Sequence, residues 1–246
     1  MSEKETSMKN LNGMKTLDIR MQMSQDDLTT ACFEVYDCVG DGSGGNGGGV
    51  GPKKLAAFLR NNPQIEKIEV RINSNGGDVF AGVAVANVLQ SVDKPVHVVV
   101  DGIAASAASA IAMAGDTVTM PESSMLMIHN AYTWTCGNAK ELRKEADDLD
   151  KVMQSVKLLY LGKAKGKVTA EKLDELLDEG TYLSAKEAYM LGLCDEVVDK
   201  DGNVQEFDEE PAQSEDETPD DEKEKSPDPE GSTADQIEAK TEWFFW

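Results

Sequence analysis

The run Pro-Val-His-Val-Val-Val at residues 95–100 does most to restrict the fold. Valine is β-branched and stiff at χ1, so such a run suits a pleated strand better than a helix. A continuous apolar run, unlike an alternating one, belongs to a strand covered on both faces, as in a parallel sheet between helices. The neighbouring segments fit. Residues 31–39 are rich in β-branched and aromatic side chains, and residues 65–72 alternate like a strand. Residues 53–61 read as a helix with Pro52 at its start, and 78–92 carry Val79, Gly82, Val83, Ala86 and Leu89 at helical spacing.

After the valine run, residues 103–114 read as a helix of small side chains, and 117–120 and 125–128 as short strands about Pro121. A long helix spans 138–165, with Asn138 and Glu141 as a capping pair. Its apolar stripe is Leu142, Ala146, Leu149, Val152, Met153, Val156, Leu159 and Tyr160. Helices at 170–177 and 185–191 follow, the second opened by a capping box of Ser184 and Glu187, and a last strand at 193–198. Strands alternating with helices through short loops predict an α/β fold with largely parallel pairing.

The ends differ in kind. Residues 1–28 form a polar arm, 29–200 one domain, and 201–246 an acidic tail with 17 acidic and 3 basic side chains. That tail carries −14 of the formal −22 and has few apolar residues, so it is expected to be disordered. It ends in Trp243-Phe244-Phe245-Trp246. The glycine run 40–51 reads as a flexible loop; Pro52 precedes Lys53, so the phosphate-loop pattern is not met.

The negative charge argues against nucleic acid or an anionic membrane surface as partner. No stretch of about 18 apolar residues occurs, and the first residues lack the apolar core of a secretory signal. Four cysteines (Cys32, Cys38, Cys136, Cys194) without a C-x-x-C pair suggest free thiols in a reducing compartment, hence the cytoplasm. With two histidines and no ligand spacing, no metal or organic cofactor is expected.

Three segments are suited to chemistry. Asp101-Gly102-Ile103-Ala104-Ala105-Ser106-Ala107-Ala108-Ser109 joins the valine strand to the small-residue helix. A serine there meets free N–H groups and a helix dipole that favour the oxyanion of acyl transfer. Taken alone, Ser106 and Ser109 are equally compatible with plain helix packing. Asn73-Ser74-Asn75-Gly76-Gly77-Asp78 also joins a strand to a helix. Its paired glycines allow close backbone approach, suiting an oxyanion donor and a wall for substrate; a plain turn is the alternative. Met127-Ile128-His129 ends a short strand before a loop, where functional side chains concentrate; His97, inside the valine run, reads as structural. A serine and a histidine within reach make a nucleophile and its base.

The order INSNGG, GIAAS, MIH, a long helix and YLSAKEAYMLGLCDEV resembles the ATP-dependent Clp protease proteolytic subunit and its phage relatives over about residues 32–198. The resemblance implies a repeated ββα superhelix shared with crotonases, a protruding handle helix and a homo-oligomer, as a ring. It implies serine endopeptidase activity through an acyl-enzyme, with Ser106 as nucleophile, His129 as base, and the backbone N–H groups of Gly77 and Ala107 as oxyanion donors. Gly76 would contact substrate, and Ser109 falls outside the frame. The family's acid aligns with Gly180, so Glu179 or its neighbour Asp178 would have to shift to reach His129, or the pair works as a dyad. Asp147, Asp148 and Asp150 read as a solvated helix face.

The long acidic tail, the glycine run and the polar start fit the phage head maturation proteases, which cut scaffold and capsid precursors inside the procapsid. The alternatives are a housekeeping subunit working with an ATPase ring and a catalytically silent capsid assembly protein. A crotonase-type acyl-CoA enzyme would need no Ser–His pair, and a Ser–Lys peptidase would not place histidine at the base position.

Overall fold

The computed structural model describes residues 21–23, 29–36, 38–40 and 51–207. The polar arm apart from residues 21–23, most of the glycine run and the tail beyond Phe207 lie outside the described residues.

The chain enters through β1 (Met21–Met23) and β2 (Thr30–Val35), then α1 (Pro52–Asn61), β3 (Lys67–Ser74) and α2 (Val79–Gln90). β4 (Val96–Ala105), α3 (Ala107–Ala112), β5 (Thr117–Pro121) and β6 (Met125–Ile128) follow. The last part is α4 (Ala139–Ala164), α5 (Ala170–Glu179), β7 (Thr181–Ser184), α6 (Ala185–Met190) and β8 (Glu196–Val198). The strands make a sheet in the order β1-β2-β3-β4-β5-β8, with β6 on the far end of β4 and β7 beside β6. Pairing is parallel except for β1–β2 and β6–β7. This is the α/β fold that the alternation predicts.

Two expectations change. The valine strand is not covered on both faces. Val96, Val98 and Val100 are buried among the helices, whereas His97 and Val99 on the opposite face are half-buried. The same face carries Glu69, Arg71 and Asp101, with Arg71 gripping the Asp101 carboxylate through Nε at 3.0 Å and a second guanidinium nitrogen. The strand also runs on to Ala105, and the helix begins only at Ala107. The small side chains of 103–105 suit either state, but Ala104 pairs with Ser74 on one side and Leu126 on the other, and Ala105 with Met127. Strands on both sides satisfy this backbone, so pairing decides.

α4 has 26 residues, about 39 Å at 1.5 Å each. Asn138 closes the expected capping box with Glu141. Its buried residues start at Met153, and Leu142 is 44% exposed, so the first turns of α4 carry the start of the apolar stripe uncovered. The second half is pinned by Lys163, whose buried ammonium donates to the carbonyls of Gly115 (2.9 Å) and Asp116 (3.3 Å) and to the Asp195 carboxylate. Asp195 also accepts from the Val118 N–H at 2.6 Å, joining α4 to β5 and the approach to β8. Lys163 is buried and Asp195 partly so, so removing the ammonium leaves two carbonyls and a part-buried carboxylate each short of a donor. Lys163→Met is expected to lower unfolding stability by about 3 kcal/mol. Chemical denaturation measures it, and an unchanged midpoint would show that the pair contributes nothing.

Candidate active site

Ser106 stands between the end of β4 and the start of α3 with φ 55° and ψ −126°, one of two non-glycine residues with positive φ among those described. This conformation costs about 1–3 kcal/mol and persists only where the surroundings enforce it. Three contacts do so. The Ser106 N–H donates to the Met127 carbonyl at 2.9 Å, tying the elbow to β6. Its own carbonyl accepts from the Ser109 N–H at 3.0 Å and from the Ser109 hydroxyl at 2.6 Å. Ser109 Oγ is in turn 2.7 Å from Tyr160 Oη, so a residue of α4 braces the elbow from below. Ser109 is fully buried and engaged, and burial pushes the Tyr160 hydroxyl up to about 12.

His129 follows β6 directly. Its Nε2 lies 2.8 Å from Ser106 Oγ, so the neutral ring can accept the serine proton. The bond between Ser106 and Met127 and the pairing of Ala105 with Met127 hold the two segments in register. Burial lowers the His129 pKa below 6.5, and the neighbouring Asn130 backbone opposes this in part. The Tyr132 ring lies against the imidazole, tilted by 34° with centroids 5.6 Å apart.

The glycine turn lies on the other side of the serine. Gly76 has φ +94°, and a Cβ on it would meet the Ala105 oxygen at 2.6 Å, Ser106 Cβ at 2.8 Å and the Ala107 nitrogen at 2.9 Å. Val39 clamps the turn, donating to the Gly76 carbonyl and accepting from the Asp78 N–H, each at 2.8 Å. Among the described residues, no hydrogen-bond acceptor engages the N–H of Gly77 or of Ala107. Two backbone donors beside a serine are the elements of an oxyanion hole.

No carboxylate among the described residues hydrogen-bonds His129. Gly180 caps α5 with φ +66°, and a Cβ there would come 3.8 Å from His129 Cβ. Glu179 is exposed, and Asp178 accepts instead from the Asn130 side chain at 2.6 Å. His97 lies apart from the site, its Nε2 2.9 Å from Thr119 Oγ1.

A cavity of about 660 Å³ opens at the pair. Gly76, Gly77, Ser106 and His129 line it together with Val152, Met153 and Val156 of α4 and the exposed Phe80 and Tyr132. The α4 wall was legible only as an apolar stripe, since nothing in a stripe says which part faces a cleft. Asp148, read as part of a solvated face, also reaches this cavity, with its carboxylate held by Lys144 and Lys151. No group of three His, Cys, Asp or Glu side chains gathers at metal-binding distance among the described residues. None of their helices is long and apolar enough to cross a membrane.

A parallel α/β sheet carrying a serine at a strained elbow, a histidine at its hydroxyl and two unengaged N–H groups has the geometry of the serine-hydrolase class. Comparison with known proteins narrows this. The Clp protease family profile matches residues 53–201. The ATP-dependent Clp protease proteolytic subunit of Deinococcus radiodurans is 30% identical over 142 residues, 56% of this chain and 68% of that protein. The subunit of the same name from Chlorella vulgaris is 30% identical over 146 residues, covering 58% and 71%. A solved structure of a ClpP1 point mutant from Listeria monocytogenes superposes with a TM-score of 0.58 at 21% identity, over 70% of this chain and 93% of that one. The chain belongs to the Clp protease family.

Proposed function

We propose that the chain is a serine endopeptidase in which Ser106 attacks the peptide carbonyl and His129 is its base. The observation that carries this is the 2.8 Å contact between His129 Nε2 and the hydroxyl of a serine held at positive φ. Ser106 Oγ bonds to the carbonyl carbon while His129 Nε2 takes the hydroxyl proton. The N–H groups of Gly77 and Ala107 stabilise the oxyanion, and Gly76 presents backbone to the substrate. Collapse expels the amine, which leaves with the proton from His129, and water then hydrolyses the acyl-serine by the same route. Val152, Met153 and Val156 favour an apolar side chain beside the cleaved bond. The pair works as a dyad, with neither Glu179 nor Asp178 on the ring.

The base must be neutral to act. With its pKa held below 6.5 by burial, activity is expected to be flat above neutrality and to fall on the acid side with a midpoint under 6.5. A pH profile of kcat/KM checks this, and a midpoint at 7 or above would contradict it.

The substrates are taken to be capsid or scaffold precursors, processed within a phage procapsid in the host cytoplasm. What supports this is the acidic tail and the glycine run, which set the chain apart from a compact subunit. The names of the curated relatives favour the alternative, a subunit that works with an ATPase ring. Incubating the purified protein with folded and unfolded substrates, without ATP, separates them: cleavage of a native precursor supports maturation, and cleavage of unfolded chains alone supports the ATPase-dependent reading. A ring-forming homo-oligomer is proposed with either, a second copy covering the exposed Leu142 and Ala146 on the first turns of α4.

A further inference from the structure

The end of α5 breaks a local rule. Helix C-termini favour basic side chains, because the last carbonyls carry partial negative charge. The last turn of α5 has no basic residue and instead contains Asp178 and Glu179. Exceptions to local preference concentrate where function needs them. Asp178 has an identifiable partner: its Oδ1 accepts from Asn130 Nδ2 at 2.6 Å. The Asn130 N–H donates to the Leu177 carbonyl at 3.1 Å, at the end of α5 where the Gly180 N–H also reaches that carbonyl at 3.3 Å. Asn130 is therefore tied twice to α5, by its backbone and by its side chain.

Asn130 is also the residue after His129, at the point where the chain leaves β6 and runs without regular structure to α4. Among the described residues, no hydrogen bond of 131–138 reaches α5; the Ala131 N–H turns instead to Met153 of α4. With Gly180 beside it, His129 has no carboxylate among the described residues to orient its second ring nitrogen. Asn130 is joined to His129 through the peptide bond, so anchoring Asn130 also anchors the backbone from which the ring reaches Ser106. We propose that Asp178 is a positioning residue for His129, acting at one remove: its carboxylate fixes Asn130 and with it the adjoining His129 backbone, so that the ring stays with Nε2 turned to Ser106 and Nδ1 protonated. This rests on the reading of His129 as the base. It gives Asp178 the orienting task of a third member without contact with the ring. The charged groups that face the cavity from other elements are Asp78 before α2 and Glu145 and Asp148 on α4.

The chain has only two histidines, so nitrogen-15 imidazole spectra of the full-length protein are assignable with His129→Ala. At a pH where the ring is neutral, His129 is expected to carry its proton on Nδ1 in the wild type. Asp178→Asn keeps an acceptor for Asn130 and is expected to preserve that tautomer, with kcat within about 2-fold. Asp178→Ala is expected to mix the tautomers and to lower kcat about 10-fold at unchanged KM, as for an interaction used only in the transition state. Wild-type tautomer and kcat in Asp178→Ala would overturn the proposal. So would equal damage from Asp178→Asn, which would mean that the charge itself acts on the ring. The tautomer reports the positioning whether or not hydrolysis needs His129; the activity of His129→Ala reports the base assignment separately.

Discussion

Ser106→Ala is expected to lower kcat for peptide hydrolysis by about 10⁵-fold, leaving KM and thermal stability nearly unchanged. Among the described residues the hydroxyl makes one hydrogen bond, to His129 Nε2, so its loss removes the proposed nucleophile and little packing. Alanine must still adopt φ 55°, but the contacts that impose it act through the backbone: Ser106 N–H to Met127, and Ser109 to the Ser106 carbonyl. His129→Ala is expected to lose a similar factor. The informative variant is the double one. Nucleophile and base act as a unit, so removing both should cost no more than removing Ser106 alone. Losses that multiply would mean that the two residues contribute independently, and the proposed proton transfer would be wrong. Initial rates with a peptide substrate bearing an apolar residue at the cleaved bond decide it.

Gly76→Ala is the second large effect. The added methyl would meet three atoms inside 3.0 Å: the Ala105 oxygen, Ser106 Cβ and the Ala107 nitrogen. These belong to the elbow's backbone or are fixed to it, so none can rotate away. The residue would also hold φ +94°, which alanine rarely adopts. The turn and the elbow must separate, carrying the Ala107 N–H from the position proposed for the oxyanion. Loss of one such donor costs about 10²-fold in kcat or more. Backbone strain of this kind costs about 1–3 kcal/mol in stability. Kinetics and thermal unfolding measured together test both parts. An unchanged kcat would mean that the turn does not buttress the elbow.

The nature of these effects explains what was legible in the sequence. Alternating strand and helix patterns give the α/β class because their periodicities are local. The capping boxes at Asn138 and Ser184 are local too, and both form as expected. The extension of β4 to Ala105 was not legible, since Gly-Ile-Ala-Ala suits strand or helix and only pairing with β3 and β6 chooses. The short β7 was missed for the same reason: its four residues are a strand because β6 lies beside them. At the site, the residue types and their order mark Ser106, His129 and the glycine pair as candidates, but their distances are tertiary facts. The cavity wall on α4 and the Tyr160–Ser109 brace join residues about 50 positions apart, with no signature except an apolar stripe. The gap at Gly180 could be read from alignment to the family motif. That Asp178 turns to Asn130 could not, because it depends on where α5 ends relative to β6.

The most direct measurement is covalent labelling of the assembled protein with a fluorophosphonate, with the modified residue mapped by mass spectrometry. The account predicts one adduct, on Ser106. Labelling should be absent in Ser106→Ala, slowed in His129→Ala and retained in Ser109→Ala once the loss of the brace is allowed for in the rate. An adduct on another serine, or none on a folded and assembled wild-type protein, would contradict the assignment of Ser106 and His129 as a nucleophile and base poised for attack.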